Sequence, residues 1–143
     1  MAVPAVAKLF AEDPGMPDRI RSDLEWIRAV QSGLPVSTVD TMIDELGFTV
    51  TEVEQLVLPR RTLAHRRARK QPLTRDESVR LARVARVALI ALDTFGNSAK
   101  AYAWLRRPNR ALQGGVPIDI LDTDDGARMV EQVLGRLAHG LFS

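Results

Sequence analysis

The densest run of chemically capable side chains in this 143-residue sequence is cationic. Arg60-Arg61-Thr62-Leu63-Ala64-His65-Arg66-Arg67-Ala68-Arg69-Lys70 holds six Lys/Arg and no acidic residue. If the run is helical, Leu63 faces a core while the cations project outward. A guanidinium is a planar fork of donors that matches guanine O6 and N7 in the DNA major groove, and the remaining cations can hold phosphates. Arg60, Arg61, Thr62, Arg66 and Arg67 are therefore the candidate DNA-contacting residues. A solvated surface helix and a protein-binding scaffold are the competing readings. The lack of neutralising acids in the run, a tight turn just upstream and Thr62 among the cations favour double-stranded DNA.

The charge is strongly segregated. The net +2 conceals −6 over residues 1–58, +11 over residues 59–110 and −3 over the remainder. A basic block between two acidic ones suits a polyanionic partner. Catalytic chemistry has little to work with. There is no cysteine, which excludes disulfides, thiolate nucleophiles and thiolate metal sites, and two histidines far apart make a poor metal set. No Gly-rich phosphate loop, nucleophile–base pair or pair of carboxylates in one helical register is present, so neither enzymatic activity nor a cofactor is expected. His65 lies among cations, a poor setting for a general base. An aromatic content of 5% is too low for base-stacking platforms. No apolar run approaches the roughly 20 residues of a membrane helix, and the N-terminus lacks the features of a signal peptide. A cytoplasmic protein without membrane partners is expected.

The elements that would position these side chains read as all-α, because apolar residues recur at helical spacing and no sustained period of two occurs. Residues 1–17 form an arm expected to be weakly ordered, with a short helical piece from Ala5 to Ala11. Residues 18–73 form a helix-turn-helix region, 74–96 a long central helix and 97–143 a small C-terminal helical domain. Ile20, Leu24, Ile27 and Val30 would face inward on a first helix from Asp18 to Gln31, with Trp26 near that face. Ser37 would cap a second helix reaching Leu46, with Val39, Met42, Ile43 and Leu46 inward. Thr51 would cap a third, ending at Leu56, and Pro59 would open the basic helix. Two short helices in such close succession have helix-turn-helix proportions, although Val57 stands where such turns usually have Gly and Pro59 where they usually have a Ser or Thr cap.

Thr74 and Glu77 form a capping-box pattern that opens the longest helix, which runs to about Thr94 with Leu81, Val84, Ala85, Ala88, Leu92 and Phe95 in one stripe. Arg80, Arg83 and Arg86 share its solvent edge, as phosphate contacts or as a solvated face. Asn97 or Ser98 would cap the next helix, with Ala101, Trp104 and Leu105 inward and Trp104 in the core. Asn109 follows a proline and suits a turn. Thr123 would cap the last helix, with Asp124 and Asp125 at its positive end and Val130, Val133, Leu134, Leu137 and Leu141 on one face. Gly140 would end it, leaving Leu141, Phe142 and Ser143 as an apolar tail.

The spacing of Ala103-Trp104-Leu105, Pro108-Asn109, Ala111-Leu112, Gly115, Pro117-Ile118, Leu121, Thr123, Gly126, Val130-Glu131, Leu134, Arg136-Leu137 and His139-Gly140 resembles the Xre/MbcA/ParS-like toxin-binding domain of bacterial antitoxins. Arg60-Arg61-Thr62-Leu63 and the long helix after it look like the Xre-type helix-turn-helix that precedes that domain. The resemblance covers about residues 18–143. It implies an all-α chain: an N-terminal Xre-type helix-turn-helix bundle, a long central helix and a small C-terminal helical toxin-binding domain. It further implies an antitoxin paired with a RES-domain toxin that consumes NAD. In that family the C-terminal domain and tail block the toxin's NAD-binding cleft, and the DNA-binding part, usually a homodimer, represses the shared operon. The resemblance thus assigns toxin contact to Arg136, His139, Gly140, Leu141, Phe142 and Ser143. It assigns operator contact to Arg60, Arg61, Thr62, Arg66 and Arg67. His139 also reads simply as a polar residue near a helix C-terminus, favourable when protonated. The alternative for the whole chain is a stand-alone helix-turn-helix regulator whose C-terminal domain only dimerises, with the apolar tail packed inside the homodimer.

Overall fold

The computed structural model describes residues 4–18 and 20–142, with Leu141 and Phe142 described by their backbone alone. Every regular element among them is helical: α1 (Ala5–Leu9), α2 (Asp23–Ser32), α3 (Ser37–Asp44), α4 (Val50–Leu56), α5 (Arg60–Ala68), α6 (Arg75–Phe95), α7 (Ser98–Leu105) and α8 (Asp124–Phe142). Two 3-10 turns, Arg110–Leu112 and Pro117–Ile120, separate α7 from α8. The chain divides into two compact units, Met1–Ala85 and Arg86–Ser143, the division falling inside α6.

In the first unit, α2, α4 and α6 start at a polar residue that closes a bond to the third residue on, whereas α1, α3 and α5 start without a side-chain cap. Thr49, not Thr51, caps α4: its hydroxyl accepts the Glu52 N–H at 3.1 Å while the Glu52 carboxylate accepts the Thr49 N–H at 2.9 Å. Thr51 also has a Glu three residues on, but the Glu54 carboxylate is turned to Arg60, and the reciprocal box closes between Thr49 and Glu52, worth about 1 kcal/mol for the cap itself. Ser22 caps α2 by accepting the Glu25 N–H, so the helix begins at Asp23 rather than Asp18. Ser37 does not cap α3; its hydroxyl donates to the Pro14 carbonyl at 3.3 Å, and the cap position is Val36.

The rotation of α2 also differs from expectation. Trp26, Ala29 and Val30 are buried, whereas Leu24 and Ile27 are 52% and 47% exposed. The indole decides this, because Trp26 stacks on Phe10 with ring centroids 6.3 Å apart. At about 100° per residue, Leu24 and Ile27 then fall on the outer side. Phe10 is fully buried, so the described part of the arm is packed rather than weakly ordered. Asp13 reinforces it by accepting the Thr41 hydroxyl at 2.8 Å, and burial pushes the Asp13 carboxyl above its usual range although that bond opposes the shift. The loop before α3 is tied down by the Leu34 N–H donating to Ser78 Oγ at 2.8 Å and the Leu34 carbonyl accepting the Leu73 N–H at 2.9 Å. Around these, Val39, Met42, Val53, Leu58, Leu73 and Leu81 make the core.

In the second unit, Ala88, Ala91, Ala101, Leu105, Leu121, Ala127, Val130 and Leu134 are buried. Tyr102 is buried with them, while Trp104, expected in the core, is only half-buried. Asn97 caps α7 through the Lys100 N–H at 3.0 Å. Asn109 closes the following turn as expected: Oδ1 accepts the Ala111 N–H at 2.8 Å, and its backbone bonds Gly114 and Gly115. Thr123 Oγ1 accepts the Gly126 N–H at 3.0 Å and starts α8. α8 does not stop at Gly140 but continues to Phe142. Glycine permits a left-handed stop without imposing one, and Gly140 is not among the glycines with positive φ.

Gly126 is fixed by space: a Cβ there would lie 1.8 Å from the Ile120 carbonyl oxygen and 2.9 Å from Thr123 Oγ1. The Gly126→Ala variant should therefore lose about 1–3 kcal/mol of stability in chemical denaturation. An unchanged midpoint would show that the start of α8 shifts freely.

Candidate functional site

The basic helix is α5, held by Leu63, which is 4% exposed. α4 leads into it through Val57, Leu58 and Pro59, a turn stabilised from α6 by Arg80, whose Nε donates to the Val57 carbonyl at 2.8 Å. Arg80 is thus a half-buried clamp rather than a solvent-edge cation. The expectation that no acid neutralises the α5 cations fails, because the acids come from other helices. Arg60 Nε lies 3.4 Å from Glu54, Arg67 pairs with Asp40, and Arg66 bridges to Glu77 through Nε and Nη2, each at 3.3 Å.

These three pairs are not equivalent. The Arg60–Glu54 and Arg67–Asp40 side chains are each at least 41% exposed, a setting in which an ion pair contributes about 0–1 kcal/mol. Phosphate can compete for such cations. The Arg66 and Glu77 side chains are 19% and 8% exposed. Removing Arg66 from that pair would leave a carboxylate uncompensated in a poorly solvated place. Arg66 is consequently a structural cation in this arrangement. Arg61 is exposed and Thr62 half-buried on the same helix. Arg69 and Lys70, exposed at its end, complete a set with Arg61 that has no ion pair among the described residues. Arg69 and Lys70 are missing from the sequence-derived site although the same cationic run contains them.

The second candidate surface is the outer face of α8. Gln132, Gly135, Arg136, His139 and Gly140 line a shallow concavity of about 740 Å³. They recur at i, i+3, i+4, i+7 and i+8, one helical stripe. A Cβ on Gly135 or Gly140 would meet nothing within 4 Å, so the stripe is both open and low in relief. Arg136, His139 and Gly140 come together as expected. Gln132 and Gly135 were missed, though helical spacing backward from Arg136 and His139 finds them. Ser143 and the side chains of Leu141 and Phe142 lie outside the described residues. The opposite face of α8 buries Ala127, Val130, Val133 and Leu134, with Leu137 half-buried. On α6, Arg86 pairs with Glu131 at 2.6 Å rather than remaining a free cation. No cluster able to hold a metal occurs among the described residues. No helix there is long and apolar enough to cross a membrane.

Residues 91–140 match the Antitoxin Xre/MbcA/ParS C-terminal toxin-binding domain, and residues 25–86 match the Antitoxin Xre-like helix-turn-helix domain. The chain is 35% identical over 121 residues to Antitoxin Xre of Pseudomonas putida, spanning 85% of this chain and 76% of that one. It is 34% identical over 129 residues to Antitoxin Xre of Yersinia enterocolitica, spanning 78% and 87%. A more distant relative, the Prs ADP-ribosylating antitoxin of Sphingobium sp., is 27% identical over 132 residues, spanning 85% and 83%.

Glu77 gives the basic helix a pH signature. Burial alone would raise its carboxyl, but the Thr74 backbone N–H and the Arg66 guanidinium outweigh burial and hold it below the ordinary value of 4.5. A depressed native value means that the unfolded state binds the proton more readily. The stabilisation is therefore complete above 4.5 and fades as pH falls through the native value. Glu77→Gln should cost about 1–3 kcal/mol near neutrality, and its deficit against the wild type should shrink in acid. Denaturation series at several pH values would check this, and a pH-independent gap would contradict it.

Proposed function

The chain belongs to the Xre family of antitoxins, and from that membership we propose that it neutralises a cognate RES-type, NAD-consuming toxin by occupying the toxin's active-site cleft with the end of α8 and the tail. The observation that carries this reading is the open stripe Gln132, Gly135, Arg136, His139 and Gly140, which lies inside the segment matching the toxin-binding domain. Two glycines let a partner approach the α8 backbone, while Arg136 and His139 offer donors at its edge. Leu141 and Phe142 follow at once, and an apolar side chain well buried in a nucleotide cleft contributes roughly 1.5–3 kcal/mol. Inhibition on this reading is steric: the antitoxin fills the cleft and performs no chemistry. The name of the Sphingobium relative fits an NAD-linked partner, because ADP-ribosyl transfer draws on NAD.

The same reading gives α5 the operator. A homodimer in the cytoplasm places two copies of α5 in successive major grooves and represses the shared operon. Arg60, Arg61, Thr62 and Arg67 reach the DNA together with Arg69 and Lys70, and Arg66 holds the helix in place. The half-screened pairs with Glu54 and Asp40 reopen when phosphate competes for their cations.

Two experiments test these halves separately. Deleting Leu141 to Ser143 should weaken neutralisation of the toxin encoded by the neighbouring gene at least tenfold while leaving the melting temperature unchanged; full neutralisation by the truncated chain would sink the cleft-filling reading. Replacing Arg60, Arg61 and Arg67 by Ala should lower operator affinity and flatten its salt dependence, by about 0.9 in logarithmic slope for each phosphate that is no longer neutralised. An unchanged slope would assign DNA binding to another surface.

A further inference from the structure

A second concavity, of about 540 Å³, lies in the C-terminal unit away in sequence from the α8 stripe. Phe95, Ala103, Trp104 and Pro108 supply its apolar lining, and Lys100 and Arg107 its cations. Lys100, Trp104 and Arg107 recur at i, i+4 and i+7, so one side of α7 and its exit builds most of it. Trp104 is the unusual member. Its ring tilts onto Phe95 with centroids 5.8 Å apart, yet the side chain stays half-buried, and its indole N–H meets no acceptor among the described residues. Lys100 and Arg107 are exposed and form no ion pair there. Neighbouring Arg106, by contrast, is satisfied by lying 4.9 Å over the Tyr102 ring.

An aromatic floor with an available donor, flanked by two uncommitted cations, has the composition of a protein-docking site. Trp and Arg are the residues that most often anchor such interfaces. We propose that this concavity is a second toxin-docking site, receiving a carboxylate beside an apolar side chain from the toxin surface. Charge complementarity sets the chemistry of the occupant, and the position of the cavity within the segment matching the toxin-binding domain selects the toxin. The inference rests on the toxin-neutralising reading and adds to it a docking point that does not involve α8. Its role is to orient the antitoxin on the toxin while the tail enters the cleft.

The test uses the full-length antitoxin and the toxin of the neighbouring gene. Lys100→Glu with Arg107→Glu should raise the dissociation constant at least tenfold and flatten its salt dependence. Trp104→Ala should weaken binding, and Trp104→Phe, which keeps the apolar floor, should largely restore it. The charge variant alters exposed side chains only, so it decides the matter even if Trp104→Ala fails to fold. Wild-type affinity and salt slope in the charge variant would overturn the proposal. So would a loss of operator affinity with toxin affinity intact, which would make the cavity a DNA-binding surface. If truncating Leu141 to Ser143 weakens the complex and the charge variant does not, only this second site falls. If the wild-type chain does not bind that toxin at all, the toxin-neutralising reading falls with it.

Discussion

One carboxylate, that of Glu77, joins the two helices on which the helix-turn-helix unit depends. It accepts the Thr74 backbone N–H at 2.9 Å, closing the cap of α6, and takes the Arg66 guanidinium of α5 in a two-pronged contact. A carboxylate on a side chain that is 8% exposed is costly to keep charged without such partners. Cap and ion pair each satisfy lone pairs that the other leaves open, so the start of α6 and the position of α5 are specified together. From the same helix, Arg80 extends this fixation to the α4–α5 turn and Ser78 extends it to the loop before α3. The basic helix therefore stands in a frame built by α6.

That frame changes the meaning of the cationic run. In the sequence its six cations look equivalent. In the fold, one is sequestered in a buried pair, two rest in exposed pairs of little worth, and Arg61, Arg69 and Lys70 carry no carboxylate partner among the described residues. Desolvation separates the cases. An exposed pair exchanges one anion for another at small cost, whereas opening the buried pair strands a charge. A polyanion would therefore see a surface of graded availability, with acids from α3 and α4 tempering its attraction.

The C-terminal unit divides its labour by helix face. α8 needs Ala127, Val130, Val133 and Leu134 for packing, which fixes its rotation and turns Gly135, Arg136, His139 and Gly140 outward. Smooth, glycine-bearing relief and exposed donors on that face suit close approach by another protein. The start of the helix is as constrained as its end is open: Gly126 sits against the Ile120 carbonyl, where no side chain fits.

Much of this was legible in the sequence because it depends on local rules. Apolar spacing marked out the helices, the Thr74–Glu77 offset marked the α6 cap, and Asn97, Asn109 and Thr123 make the local bonds expected of them. The spacing of the C-terminal pattern pointed to the family. Tertiary structure alone decided which residues of an ambiguous helix face inward, since Trp26 took the core by stacking on Phe10 and left Leu24 and Ile27 outside. It also moved Trp104 from an expected core position to the lining of a cavity. Above all, it decided which cations are free. Charge along a sequence is a count, but availability depends on which carboxylates other helices bring within a few ångströms, and spacing along one helix carries no information about that.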